Sequence, residues 1–295
     1  MLHPITFSFP EEKISSDIPL KTKILSNLIP GKISTYIYST EVDYYNEYRS
    51  SYFAITTKKG GWDCLRHYEI IANRCLPVFP NIEKCPPLTM ALLPKDLIIE
   101  SNTLYDTVRL KKLMELTDDF KSSYLQLVEK MINILKSTLT TSSMASYIFR
   151  NSGISPTNIL FLSGQTSPDY LRCLTLHGMK SILGARCHDY PKIPHIYKGQ
   201  SGYNILYGKG ITYSNLLESS ERDDRNDLAI VEKIKSYYFD LIVYGSYHRG
   251  MPFLDVVNES YSPNQIILLC GEDDHVCNYN EWVRKGYVVF VRELQ

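Results

Sequence analysis

The sequence predicts an α/β protein with parallel sheets in two Rossmann-type domains. Short apolar, β-prone runs alternate with stretches of helical spacing in both halves of the chain. That alternation argues for parallel strands with helices on both faces. A long helical block then separates the two alternating regions and ends at Asn151-Ser152-Gly153. A boundary is therefore expected near residue 150, giving domains 1–150 and 151–295.

The elements follow in order. Residues 5–9 are the first expected strand, ending at the polar turn Pro10-Glu11-Glu12-Lys13. Residues 35–38 are the second, and 43–49 a short helix. Residues 52–56 form a strand, 62–74 a helix and 76–79 a strand. Prolines at Pro86, Pro87 and Pro94 mark 81–100 as loop and short strand. From 106 to 149, apolar residues recur at i, i+3, i+4, giving helix broken near Thr117-Asp118-Asp119, where an N-cap fits. In the second half, 158–162 is a buried strand and 169–183 a helix with Pro168 near its first turn. Residues 228–238 are helix, 241–244 strand, 253–258 helix, 266–269 strand and 287–291 strand. The stretch 198–226 is irregular. Its charged end, Glu221-Arg222-Asp223-Asp224-Arg225, reads as a solvated loop or helix start.

Composition narrows the class. The chain has 295 residues, 44% apolar and 22% charged, with zero formal net charge. No basic stripe points to nucleic acid as a partner. No run reaches the length of a membrane span, and the N-terminus lacks the basic and apolar regions of a signal peptide. A soluble cytoplasmic protein without a transmembrane segment is expected. The seven cysteines form no C-x-x-C pair, so neither a disulfide framework nor a zinc site is expected, and most read as buried thiols. The 23 tyrosines suit domain cores and, less often, sugar sites.

Residues 52–80 carry the chemistry. A strand runs into Lys58-Lys59-Gly60-Gly61, and a helix follows. A glycine turn opening onto a helix offers backbone N–H groups and a positive dipole end, a seat for a diphosphate. Arg66 and Glu69 share a helix face with Trp62. An arginine fork suits a diphosphate, and a carboxylate can accept from two ribose hydroxyls. The plainer reading is a surface ion pair between Arg66 and Glu69.

Tyr52, Ala54, Thr56, Lys58, Gly60, Gly61, Trp62, Asp63, Cys64, Arg66, Glu69, Cys75, Pro77, Val78 and Pro80 together resemble the donor-binding segment of exostosin-like glycosyltransferases, which have the two-domain GT-B fold. The resemblance covers residues 4–100 and, more loosely, 155–295. It is similar to proteins of large DNA viruses of algae, so the compartment would be the host cytoplasm. Arg74 stands where the family carries glycine. The resemblance implies a nucleotide-diphosphate sugar donor, most simply a UDP-sugar such as UDP-xylose, transferred with inversion to a glycan acceptor. It assigns the donor to Thr57, Lys58, Gly60, Gly61, Trp62, Arg66 and Glu69. The donor-like segment comes first here, so the chain looks circularly permuted.

Ligands of open α/β sheets bind beyond the carboxyl ends of the strands. On the acceptor side those positions include Gly164, Ser246, Arg249 and Glu272. A base for the acceptor hydroxyl is sought among Asp169, His248 and Glu272-Asp273-Asp274, with Asp169 preferred. Asp169 also reads as an N-cap, His248 as a loop histidine and the acidic group as a solvated turn. Glu272-Asp273-Asp274-His275 could hold a divalent metal, but the cationic residues at 58–66 make one unnecessary. Cys187-His188-Asp189 with His195 reads as a packed loop rather than a nucleophile or metal site. A non-catalytic nucleotide- or glycan-binding protein is the alternative. A nucleotide-dependent hydrolase is disfavoured, since G-x-x-x-x-G-K-[ST] and G-x-S-x-G are both missing.

Overall fold

The computed structural model describes residues 1–199, 206–224, 227–273 and 277–295. Its strands are β1 (Leu2–Pro4), β2 (Lys23–Leu25), β3 (Ser51–Ile55), β4 (Leu76–Val78), β5 (Ile159–Leu162), β6 (Cys187–Tyr190), β7 (Leu241–Tyr244), β8 (Ile266–Cys270) and β9 (Val288–Val291). They form two parallel sheets, one six-stranded in the order β1-β9-β8-β7-β5-β6 and one three-stranded in the order β2-β3-β4. The fold is α/β and Rossmann-like.

The central strands of the large sheet are buried along their whole length, which is why they read as unbroken apolar runs. Strand β6 lies at one edge. Strand β1 closes the other, with Leu2 opposite Val289. The beginning of the chain thus completes the sheet of its second half, and the divide near residue 150 does not separate the sheets.

The helices are α1 (Glu41–Arg49), α2 (Leu65–Ala72), α3 (Lys95–Asp106), α4 (Asp118–Thr138), α5 (Thr141–Ser152), α6 (Tyr170–Leu183), α7 (Ile230–Lys235), α8 (Leu254–Ser260) and α9 (Tyr279–Arg284). The expected N-cap is present: the Thr117 side chain accepts from the Phe120 N–H. A second cap at Thr140, accepting from Ser143, splits α4 from α5. Helix α5 packs on α6 so closely that a Cβ on Gly178 would collide with the Thr141 carbonyl.

Several expectations are corrected. The strand expected at 35–38 is Lys23–Leu25 instead. Thr35 bonds locally, donating to the Lys32 carbonyl (2.8 Å) and accepting from the Ile29 N–H (3.1 Å), which closes a turn. The first strand lies at Leu2–Pro4 rather than 5–9. Residues 95–106 are helix rather than loop, because Pro94 sits just before the helix, where its missing N–H costs nothing. Residues 107–112 are not helical, so the long block starts at Asp118. Residues 187–190 are edge strand β6, not loop. Cys270 and Cys277 are paired as a disulfide, contrary to expectation, their Cα atoms 6.2 Å apart at a sequence separation of 7. Among the described residues, no helix is long and apolar enough to cross a membrane.

Candidate functional site

The carboxyl ends of both sheets face one cavity of about 750 Å3. The small sheet contributes the loops after β2 and β3 and the start of α2. The large sheet contributes Asp169 after β5, Arg249 after β7, Glu272 and Asp273 after β8, and Arg292 after β9. This is where open parallel sheets place ligands. Residues 207–211 close a further side.

Arg66 and Glu69 are buried on this wall, not paired on the surface. Helix α2 begins here with Cys64 at its N-cap and no capping side chain. Arg66 is 8% exposed, and its Nε and Nη1 have no hydrogen-bond partner. Its guanidinium lies 6.0 Å from the Tyr36 ring, and the Tyr36 hydroxyl is near enough to feel its charge but makes no hydrogen bond of good geometry. A buried, donor-only group in this state is costly unless an acceptor completes it. Glu69 does not complete it. Its oxygens accept from the Tyr44 hydroxyl (2.8 Å) and the Thr212 hydroxyl (2.6 Å). Burial pushes its carboxyl above the usual range. Each oxygen thus already accepts one hydroxyl from the chain itself.

The glycine turn behaves differently. The Trp62 and Asp63 N–H groups both donate to the Glu293 carboxylate, each at 3.0 Å. Asp273 and Glu293 press against Gly60 and Gly61 where side chains would begin. The seat expected for a diphosphate at Gly60-Gly61 is therefore filled by the chain's own carboxylates, with Arg292 bound to both. Lys58 lies 5.2 Å over the Trp62 ring, and Trp62 stacks on Phe79. Thr57, Lys58 and Trp62 do not line the cavity, whereas Lys59 does. His67, pushed down to about 3 by burial, stays neutral. Its Nε2 donates to the Trp62 carbonyl (2.9 Å), leaving Nδ1 to accept from Thr56 (2.8 Å), and this fixes the turn.

Arg74 explains its own departure from glycine. Its φ of 52° is in the left-handed region. The side chain compensates, donating to the Ser15 and Ser16 carbonyls (both 3.0 Å) and to Glu129.

On the opposite wall, Asp169 is the N-cap of α6. Its Oδ1 accepts from the Arg172 N–H (3.0 Å) and its Oδ2 from Ser246 (2.5 Å), so both oxygens are engaged. Glu272 is held through Oε1 by His248 Nε2 (2.6 Å) and by Arg249 Nε (3.1 Å) and Nη2 (2.8 Å). Burial alone would raise its carboxyl, but these partners hold it below the usual range. His248 does not line the cavity, and Gly164 packs on the Arg249–Gly250 backbone. Asp273 is tied to Arg292, while Asp274 and His275 lie outside the described residues. Asp169, His248 and Glu272 each offer a ligand atom within 4.8 Å of the others, but Arg249 already supplies the positive charge there. His195 lies 3.5 Å from Cys173. Burial drives that histidine down to about 4 and the thiol up to about 11, so the pair is neutral.

Asp63, a motif residue with no role expected from the sequence, also belongs to the site. It lines the cavity, is 2% exposed, and accepts from the Phe7 N–H (2.8 Å) and the Tyr68 hydroxyl (2.9 Å). Burial, against the pull of Arg292, pushes its carboxyl up to about 6. The only sequence signal was its place after Trp62 in the motif. Tyr44, Tyr170 and Tyr207 also line the cavity, and no periodicity separates them from core tyrosines. No family model matches the chain, and neither a curated protein nor a solved structure matches it.

Proposed function

We propose that the chain is a glycosyltransferase with a circularly permuted GT-B-like arrangement, taking a nucleotide-diphosphate sugar, in the simplest case a UDP-sugar such as UDP-xylose. The observation that carries this is Arg66: a buried guanidinium with two unpartnered nitrogens, at the start of a helix, on a cavity between the carboxyl ends of two parallel sheets. That arrangement calls for a bound oxyanion. Two facing sheets around one cleft suit a donor on one side and a glycan acceptor on the other.

In this reading Arg66, with Lys59 nearby, holds the diphosphate and stabilises the negative charge that grows as it leaves. Asp63 is the base. A carboxyl near 6 is ionised at neutral pH yet basic enough to accept a proton as it is lost. The acceptor hydroxyl oxygen bonds to the sugar's C1, the C1–phosphate oxygen bond breaks on the opposite face, and the hydroxyl proton passes to Asp63. Inversion follows. In this reading Asp169 keeps its place as the cap of α6, and Asp63 takes the base's role. Arginine and lysine supply the neutralising charge without calling on a divalent ion.

A non-catalytic nucleotide- or glycan-binding protein is the second reading, favoured by the glycine turn, whose donors are spent on Glu293. A panel of nucleotide sugars with a glycan acceptor, with and without chelator, separates the two. The transferase releases UDP from one donor and stops in Arg66→Ala. A binder retains affinity for its ligand but releases nothing.

A further inference from the structure

The segment after Leu206 crosses from the large sheet's side to the small sheet's helices. Its backbone is unusual: Gly208, Lys209, Gly210, Thr212 and Asn215 have φ of 59°, 56°, 71°, 73° and 53°. A β-branched residue in this region is a true outlier. Such conformations persist only where surrounding contacts enforce them, and they gather at switches and ligand clamps. Thr212 is fully buried. Its N–H donates to Glu41 (2.7 Å), its hydroxyl to Glu69 Oε1 (2.6 Å), and its carbonyl accepts from Lys13 (3.4 Å). The Tyr45 hydroxyl, 2.6 Å away, therefore donates to Thr212. Tyr207, Lys209 and Ile211 on the same segment line the cavity.

Glu69 and Arg66 lie three residues apart on α2, the spacing at which opposite charges pair. They form no ion pair, because Thr212 and Tyr44 occupy the carboxylate. Resting on the oxyanion reading above, we propose that residues 207–215 are a strap that arms the site: seated, Thr212 holds Glu69 off Arg66 and leaves the guanidinium free for phosphate. When the strap lifts, Glu69 loses a partner, and the unpaired guanidinium one turn away takes its place. The site then carries its own counter-ion and binds phosphate weakly. Because the same segment walls the cavity, closure over a ligand and arming of Arg66 are one event.

Calorimetric titration with inorganic pyrophosphate tests this. Thr212→Val should weaken binding at least about tenfold, a modest energetic change, while Thr212→Ser keeps the hydroxyl and binds as the unaltered protein does. Adding Glu69→Gln to Thr212→Val should restore binding, since the competing charge is gone. If Thr212→Val fails to fold, Tyr45→Phe, which loosens the same anchor, should show a smaller loss that Glu69→Gln also restores. Unaltered binding in folded Thr212→Val or Tyr45→Phe, or a loss that Glu69→Gln does not repair, overturns the strap while leaving the oxyanion site standing. No pyrophosphate binding by the unaltered protein overturns both.

Discussion

The glycine turn and the first turn of α2 are neighbours in sequence and opposites in state. Both were expected to hold one diphosphate. At the turn, the Trp62 and Asp63 N–H groups are spent on Glu293, and carboxylates lie against both glycines. Four residues on, Arg66 is buried with donors left over. A local motif states which donors exist. Partners about 230 residues away decide which of them remain available. The turn ties the two halves together, and Arg66 is left for a ligand.

The sharpest way to break this comparison is at Arg66. Arg66→Ala should lower kcat/KM by about 100-fold or more, the usual loss when a charge-stabilising donor is removed. Arg66→Met should also raise the stability of the ligand-free protein, by about 1–3 kcal/mol, because it removes a buried unsatisfied charge. Chemical denaturation reads that change. Equal or lower stability would mean that Arg66 is already satisfied.

Asp63→Asn should cost about 100-fold or more in kcat/KM as a lost general base. With the carboxyl near 6, activity should rise with pH through about 6, and the variant should lose that limb. Stability runs the other way. The folded chain holds the Asp63 proton more tightly than the unfolded chain, where the value is 3.8. This contribution is therefore full below the unfolded value and is lost as pH rises through about 6, a change of about 3 kcal/mol. A denaturation series from pH 4 to 7 on the protein and Asp63→Asn checks the sign.

The effects at the other positions are smaller. Arg74→Ala keeps the left-handed backbone and loses the guanidinium's bonds, so it should cost about 2–4 kcal/mol of stability. Arg74→Gly relieves the backbone and should cost less, by about 1 kcal/mol. Glu293→Gln should lower stability by about 1–2 kcal/mol by weakening the acceptor of two partly buried N–H···O bonds. Lys58→Ala, which loses only a contact over Trp62, should change stability by about 1 kcal/mol or less and leave turnover within about twofold.

Much of the large sheet was legible because buried parallel strands are written as plain apolar runs, and β7 falls on the expected residues 241–244. The Thr117 cap was legible because capping is local. Strand β2 was not, since Lys23–Leu25 is short and only half buried. Strand β6 hid behind His188 and Asp189, polar residues held on an edge by Asp227 and Lys180. In the site, the chemistry of Arg66 and Glu69 was visible from their types and spacing. Glu293 on the turn and Thr212 on Glu69 were not, because each contact joins residues more than 140 apart. Asp169 was visible as both cap and base, and its bond from the Arg172 N–H makes the cap.

The most direct test of the account is calorimetric binding of UDP to the protein, to Arg66→Ala and to Lys58→Ala. The account predicts binding that weakens at least about 100-fold in Arg66→Ala and stays unchanged in Lys58→Ala. Equal losses in both variants, or none in Arg66→Ala, would contradict the claim that the oxyanion site lies at the start of α2 and not on the glycine turn.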